Sequence, residues 1–175
     1  MALQQFFAAA TVLEARQAQA FQKHFALGLP LLKLPFQPGV AGDYRVQNEG
    51  GSELFNSLFE HTVIEFKSDG KSLYSKHFFF EFEQTSDGWF SWSESGHVLA
   101  LNTGCLLVIG VKQKYYCFDL ASYTSMFNAG KYETRTTGSR KNGNMPGMFT
   151  RGWRIPVPVV KKFATYVFTV SKMST

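Results

Sequence analysis

Apolar and polar positions change period several times along the chain. Residues 3–26 place Phe7, Ala10, Ala18, Phe21 and Phe25 at helical spacing, which predicts an amphipathic helix closed by Gly28 and Pro30. Glu14 falls near the centre of that apolar stripe, where a carboxylate needs a partner. The proline-punctuated "LPLLKLPFQPGVAG" (29–42) reads as a loop, "DYRVQ" (43–47) as a short strand and "NEGGSELFNSLFEH" (48–61) as a long connection with a helical turn. "TVIEFKS" (62–68) then alternates with period two. Ile64 and Phe66 take one face, and Glu65 and Lys67 the other.

"HFFFEFEQ" (77–84) predicts a further strand, with Phe78, Phe80 and Phe82 on one face and Phe79, Glu81 and Glu83 on the other. "SDGWFSWSESG" (86–96) reads as a turn followed by a short element. "CLLVIGV" (105–111) is continuously apolar, as a strand buried on both faces would be, and "KYYCFDL" (114–120) pairs with it across a tight turn. "ASYTSMFNAG" (121–130) predicts a short helix. Residues 131–152 are Gly-rich, basic and poor in apolar positions, and read as a long loop or flap. "GWRIPVPVVKKFATYVF" (152–168) closes the chain with a strand and a short helix. This order predicts one α/β domain over residues 1–175, a central mixed sheet flanked by helices.

Composition supports a packed core, since 45% of residues are hydrophobic and 18% charged. No apolar run reaches the about 18 residues of a spanning helix, and "MALQQFFAAATVLEARQ" lacks the cationic start of a signal peptide. Cys105 and Cys117 fit neither a zinc pattern nor a disulfide framework, so a reduced, cytoplasmic protein without a membrane partner is expected. Net charge is +5 and unevenly spread: residues 131–162 hold eight Lys or Arg against Glu133, giving +7 there and −2 elsewhere. A basic C-terminal third points to a polyanion, or to a solvated surface that aids solubility.

The candidate chemistry lies in "GDYRV" and "VIEFKSD". Together with "FFFEFE", "TGCLLVIG" and "TRGWRIPVPVV" these segments resemble the PD-(D/E)XK nuclease superfamily, and within it the small phage- and mobile-element-type enzymes with a restriction-endonuclease-like core. That family carries an acid on one strand and Glu/Asp-X-Lys on the next. The resemblance matches Asp43 to the first acid, with Gly42 in place of the usual proline, and Glu65 and Lys67 to the second acid and the lysine. Glu53 is a rival first acid, because 21 residues separate Asp43 from Glu65.

The resemblance implies a nuclease that hydrolyses phosphodiester bonds, in DNA rather than RNA, with Mg²⁺ or Mn²⁺ held by Asp43 and Glu65. It allows a homodimer. Carboxylates suit a hard ion that keeps several waters, and Lys67 can orient or deprotonate the attacking water and offset developing charge. Glu14 would be a further member, reaching the site from the first helix. Arg135, Arg140, Lys141, Arg151 and Arg154 would contact phosphates. Glu81 and Glu83 read as a solvated face, Asp69 and Asp87 as turn residues, and the four histidines as structural. The alternatives are a non-catalytic nucleic-acid-binding protein retaining the fold, and an interaction protein in which Glu-X-Lys is incidental.

Overall fold

The computed structural model describes residues 2–35, 40–47, 51–60, 63–86, 90–92, 96–137 and 148–171. Along the chain run α1 (Ala2–His24), β1 (Leu32–Lys33), β2 (Tyr44–Arg45), α2 (Glu53–Leu58), β3 (Val63–Ser68), α3 (Ser72–Ser75), β4 (His77–Ser86), β5 (Phe90–Trp92), α4 (Gly96–Asn102), β6 (Leu106–Val111), β7 (Lys114–Phe118), α5 (Leu120–Asn128), β8 (Glu133–Thr137), β9 (Met148–Pro156), α6 (Val157–Phe163) and β10 (Tyr166–Thr169).

The strands form two sheets. The larger has six strands in the order β1-β2-β3-β6-β7-β10, with β3 and β6 parallel and the other neighbours antiparallel. Its centre is β6, whose six residues are all buried, as an unbroken apolar run requires. On one face Ile64 and Phe66 of β3 and Leu106 and Val108 of β6 pack with Phe21 and Phe25 of α1. On the other, Leu107 and Ile109 pack with Phe78, Phe80, Leu101, Met126 and Val160, from β4, α4, α5 and α6. This is an α/β domain with a mixed sheet flanked by helices.

The smaller sheet, β5-β4-β9-β8, corrects two expectations. First, the Phe-rich strand does not join the central sheet. It pairs with β9 from His77↔Pro156 to Ser86↔Met148, and the register slips between Glu81 and Glu83. That slip breaks the expected alternation: Phe78 and Phe80 are buried, whereas Phe82 is half-buried against Trp153 at 4.1 Å between ring centroids. Second, within the stretch 131–152 expected as a loop, residues 133–137 form a strand and 148–152 open β9, which pairs with it. "ETRTT" is exposed or nearly so throughout, and a strand that buries neither face leaves no apolar alternation to read. The stop expected at Gly28 and Pro30 also comes earlier: α1 ends at His24, and the left-handed residue past its end is Ala26 (φ 49°), ahead of Gly28.

Short elements are held by local caps. Ser52 accepts from the Phe55 N–H at the start of α2, and Asp119 from the Ser122 N–H at the start of α5. Among the described residues no helix is long and apolar enough to cross a membrane. Cys105 and Cys117 are both free and buried.

The interior is rich in aromatic rings, with Phe21 touching Phe25, Phe55, Phe66 and Phe168 at ring-centroid distances of 4.5–6.1 Å. This ring ties α1 and α2 to both flanks of the large sheet. Phe21→Ala is therefore expected to cost about 3–5 kcal/mol, read as a lower urea midpoint, while Val12→Ala on the exposed face of α1 changes stability by less than about 0.5 kcal/mol.

Candidate active site

The ends of β2 and β3 bring Asp43, Glu65 and Lys67 together. The Asp43 N–H donates to the Ile64 carbonyl at 2.8 Å, which aims the amides of Ile64 and Phe66 toward β2. β2 holds only Tyr44 and Arg45, paired with Ile64 and Val63, so the ladder ends before Phe66. The Asp43 side chain continues it: Oδ2 accepts from the buried Phe66 N–H at 2.7 Å. An orphaned buried donor would otherwise be costly.

Glu65 points away from Ile64 and Phe66, as alternation requires, yet it is only 7% exposed. Its charge is met on both oxygens. Oε1 lies 2.5 Å from the Lys67 ammonium, on the same strand face, and Oε2 accepts from the Gly42 N–H at 2.7 Å. That last bond explains Gly42. Proline has no N–H to give, and its ring fixes φ near −65°, whereas Gly42 sits at φ +119°. Glycine is the residue this geometry demands.

Electrostatics follow from this crowding. Burial raises the Asp43 carboxyl to about 6, helped by the charge of Glu65 and, more weakly, Glu14; the Phe66 N–H and Lys67 oppose this. Burial alone would depress Lys67, but the charge and hydrogen bond of Glu65, with Asp43 and Glu81, outweigh it and raise its pKa above the ordinary lysine value. Lys67 is thus held as an ammonium. It can orient an anion and offset charge, but it cannot deprotonate water, which narrows the role expected of it.

Glu14 stands apart. It is half-buried and forms an ion pair with Lys33 at 2.6 Å, and Lys33 in turn lies over the Tyr44 ring. The partner expected for this carboxylate exists, but it is Lys33 on β1, and Glu14 reaches Asp43 only through its field. Glu53 is exposed in the first turn of α2 and makes no hydrogen bond or ion pair among the described residues, so Asp43 is the acid beside Glu-X-Lys.

Lys67 also opens into a cleft of about 620 Å³ between the end of β3 and the outer face of the smaller sheet. Four cations (Lys67, Lys71, Arg135, Arg154) and two carboxylates (Asp69, Glu81) line it. Arg135 and Arg154 thus share a cleft with Lys67. Arg154 is partly neutralised by Glu133 at 2.9 Å. Arg151 instead pairs with Glu83 at 2.8 Å over the Phe82 ring and does not line this cleft. Arg140, Lys141, Asp87 and Trp89 lie outside the described residues.

His97, expected to be structural, and Glu81, expected on a solvated face, both line this cleft. His97 is buried, and its Nδ1 accepts from the Glu81 N–H at 3.1 Å. Burial, reinforced by repulsion from Lys67, pushes its pKa down to about 3. The ring is therefore neutral, with its proton on Nε2, and His97 is among the residues that line the cleft. No spacing rule reveals this, because His97 lies on α4 and meets Lys67 only in the fold. The face of Glu81 was legible from alternation, but that face is the cleft wall and not open solvent. Glu83, in contrast, lies in a surface ion pair.

A hard divalent ion suits this donor set. Asp43 and Glu65 place two carboxylates against one ammonium, leaving net negative charge, and Asp43 Oδ1 takes no hydrogen bond from the described residues. No group of three or more His, Cys, Asp or Glu is arranged around one point among the described residues, so water would complete the ion's shell. No family model, curated protein or solved structure matches this chain.

Because Asp43 is harder to ionise folded than unfolded, its contribution to stability falls as pH rises from about 4 to about 6. His97 acts oppositely, since a histidine kept neutral by burial adds stability as pH rises from about 3 to its ordinary 6.5. The two overlap, so the difference between variants isolates Asp43. Asp43→Asn is expected to be more stable than the natural protein by about 1–3 kcal/mol at pH 7, with the gap closing by about pH 4. Urea melts across that range measure it.

Proposed function

We propose that this protein is a divalent-metal-dependent nuclease that hydrolyses phosphodiester bonds, with Asp43, Glu65 and Lys67 as its reactive centre. One observation carries the reading. The acid preceding β2 and the Glu-X-Lys of β3 meet at one point on adjacent antiparallel strands, and the lysine of that set opens into a cationic cleft. A solvated charged pair would not be expected to bury Glu65 and recruit two strands and a glycine N–H around it. The PD-(D/E)XK resemblance of the sequence has the same strand logic, an acid on one strand and Glu-X-Lys on the next.

Asp43 and Glu65 would hold a magnesium or manganese ion. When bound, the ion supplies neutralisation of phosphate charge and acidification of water. The chain's own groups do the rest. Lys67, kept cationic by its neighbours, positions an anionic phosphoryl group beside the acids and stabilises the charge that grows on its oxygens. His97, neutral and part of the cleft wall, would offer its remaining ring N–H to a bound phosphate. Arg135 and Arg154 sit along the cleft where flanking phosphates would run. Glu14 tunes Asp43 through space and serves mainly to anchor Lys33.

The non-catalytic binder is separated from this reading by one pair of assays on nucleic acid with Mn²⁺ present. Lys67→Ala and Glu65→Gln are expected to lower cleavage by about 100-fold or more, while binding measured in chelator changes far less. Cleavage by purified Lys67→Ala at the natural rate contradicts the assignment. Binding without cleavage by the natural protein, under any divalent ion, favours the binder.

A further inference from the structure

The same cleft carries an aromatic ring that the hydrolytic chemistry does not use. Among the described side chains the other aromatic rings are buried or half-buried, whereas Tyr74 is 85% exposed. It lies on α3, the single helical turn that follows Glu-X-Lys, and it lines the cleft together with Lys67, Lys71, Phe79, Arg135 and Arg154.

The turn that presents Tyr74 is fixed at its base. Asp69 Oδ1 accepts from the Ser72 N–H at 3.0 Å, and Oδ2 accepts from the Phe79 N–H at 2.9 Å. The Asp69 N–H donates to the Gly110 carbonyl at 3.1 Å, and the Ser72 hydroxyl donates to the Asp69 carbonyl at 2.7 Å. Lys76 closes the turn in the left-handed conformation, φ 60°. Just past the end of β3, Asp69 thereby ties α3 to β4 through its carboxylate and the turn to β6 through its backbone N–H. An exposed ring on a hydrogen-bonded turn, sharing a cleft with four cations and two carboxylates, is poorly explained by packing. It suits a planar, apolar face attached to a phosphate.

Resting on the nuclease reading, we infer that the cleft binds single-stranded nucleic acid, with Tyr74 as the platform on which an unpaired base stacks. Lys71, Arg135 and Arg154 would hold the flanking phosphates, and Lys67 would meet the phosphate nearest the acids. A base paired inside a duplex presents no face for such a platform, whereas stacking on a tyrosine is tolerant of base identity. The cleft thus selects strand state and not sequence.

The test is fluorescence anisotropy in chelator with two labelled probes, an oligothymidine of about 12 nucleotides and a blunt duplex of similar length. The natural protein is expected to prefer the single strand. Tyr74→Ala should weaken oligothymidine binding by about 5- to 100-fold and leave duplex binding within about twofold. Tyr74→Trp should restore single-strand affinity, and Tyr74→Leu should not. The exposed position makes all three expected to fold, which thermal melts verify. Unchanged oligothymidine binding by Tyr74→Ala overturns the inference, as does a preference of the natural protein for duplex; either leaves the nuclease reading standing. Binding through Tyr74 with no cleavage on adding Mn²⁺ keeps this inference and removes the hydrolytic one. Binding to neither probe overturns both.

Discussion

A carboxylate buried on the polar face of a central strand is the constraint around which this protein is organised. Glu65 is nearly inaccessible, and an ionised carboxylate in that position is tolerable only if both oxygens are met. Lys67 meets one and the Gly42 N–H the other. The first partner costs nothing in topology, because residues i and i+2 of a strand share a face. The second requires the chain to return beside β3 with a backbone conformation that only glycine adopts easily. Asp43 follows directly from that return, closing the strand ladder with its side chain and so arriving next to Glu65.

Two carboxylates and one ammonium in a partly dry corner cannot all be at ease. Asp43 absorbs the conflict by resisting ionisation, and Lys67 gains charge stability from it. A cation would relieve what remains. Catalytic centres often trade stability for such arrangements, and this corner has the form of that trade. The neighbouring cleft would suit a phosphate-bearing chain: its lining includes four cations, a neutral histidine and an exposed tyrosine on a hydrogen-bonded turn.

Much of this was legible in the sequence, for specific reasons. The phase of Ile64, Glu65, Phe66 and Lys67 follows from strand geometry alone, and the unbroken run at 106–111 could only be a strand covered on both faces. α1 was readable from its Phe spacing. What escaped the sequence depends on contacts between distant segments. Phe78 and Phe80 declare a buried face but not which sheet owns it, and their strand pairs with residues some 70 positions away. The exposed strand at 133–137 has no apolar phase to betray it. Glu14 was expected to need a partner, yet only the fold reveals that this partner is Lys33 and not the corner of Asp43, Glu65 and Lys67. His97 carries no motif at all, and its neutrality comes from burial beside Lys67.

Asp43 and Glu65 form one charge-frustrated site, which a divalent ion would relax. Carboxyl-carbon NMR of Asp43, assigned with Asp43→Asn and titrated from about pH 3 to about pH 9, tests this most directly. Without metal the resonance should titrate at about 6, and saturating Mg²⁺ should carry its midpoint below the ordinary 3.8. A midpoint already near 3.8 without metal, or one that Mg²⁺ leaves in place, would contradict the account.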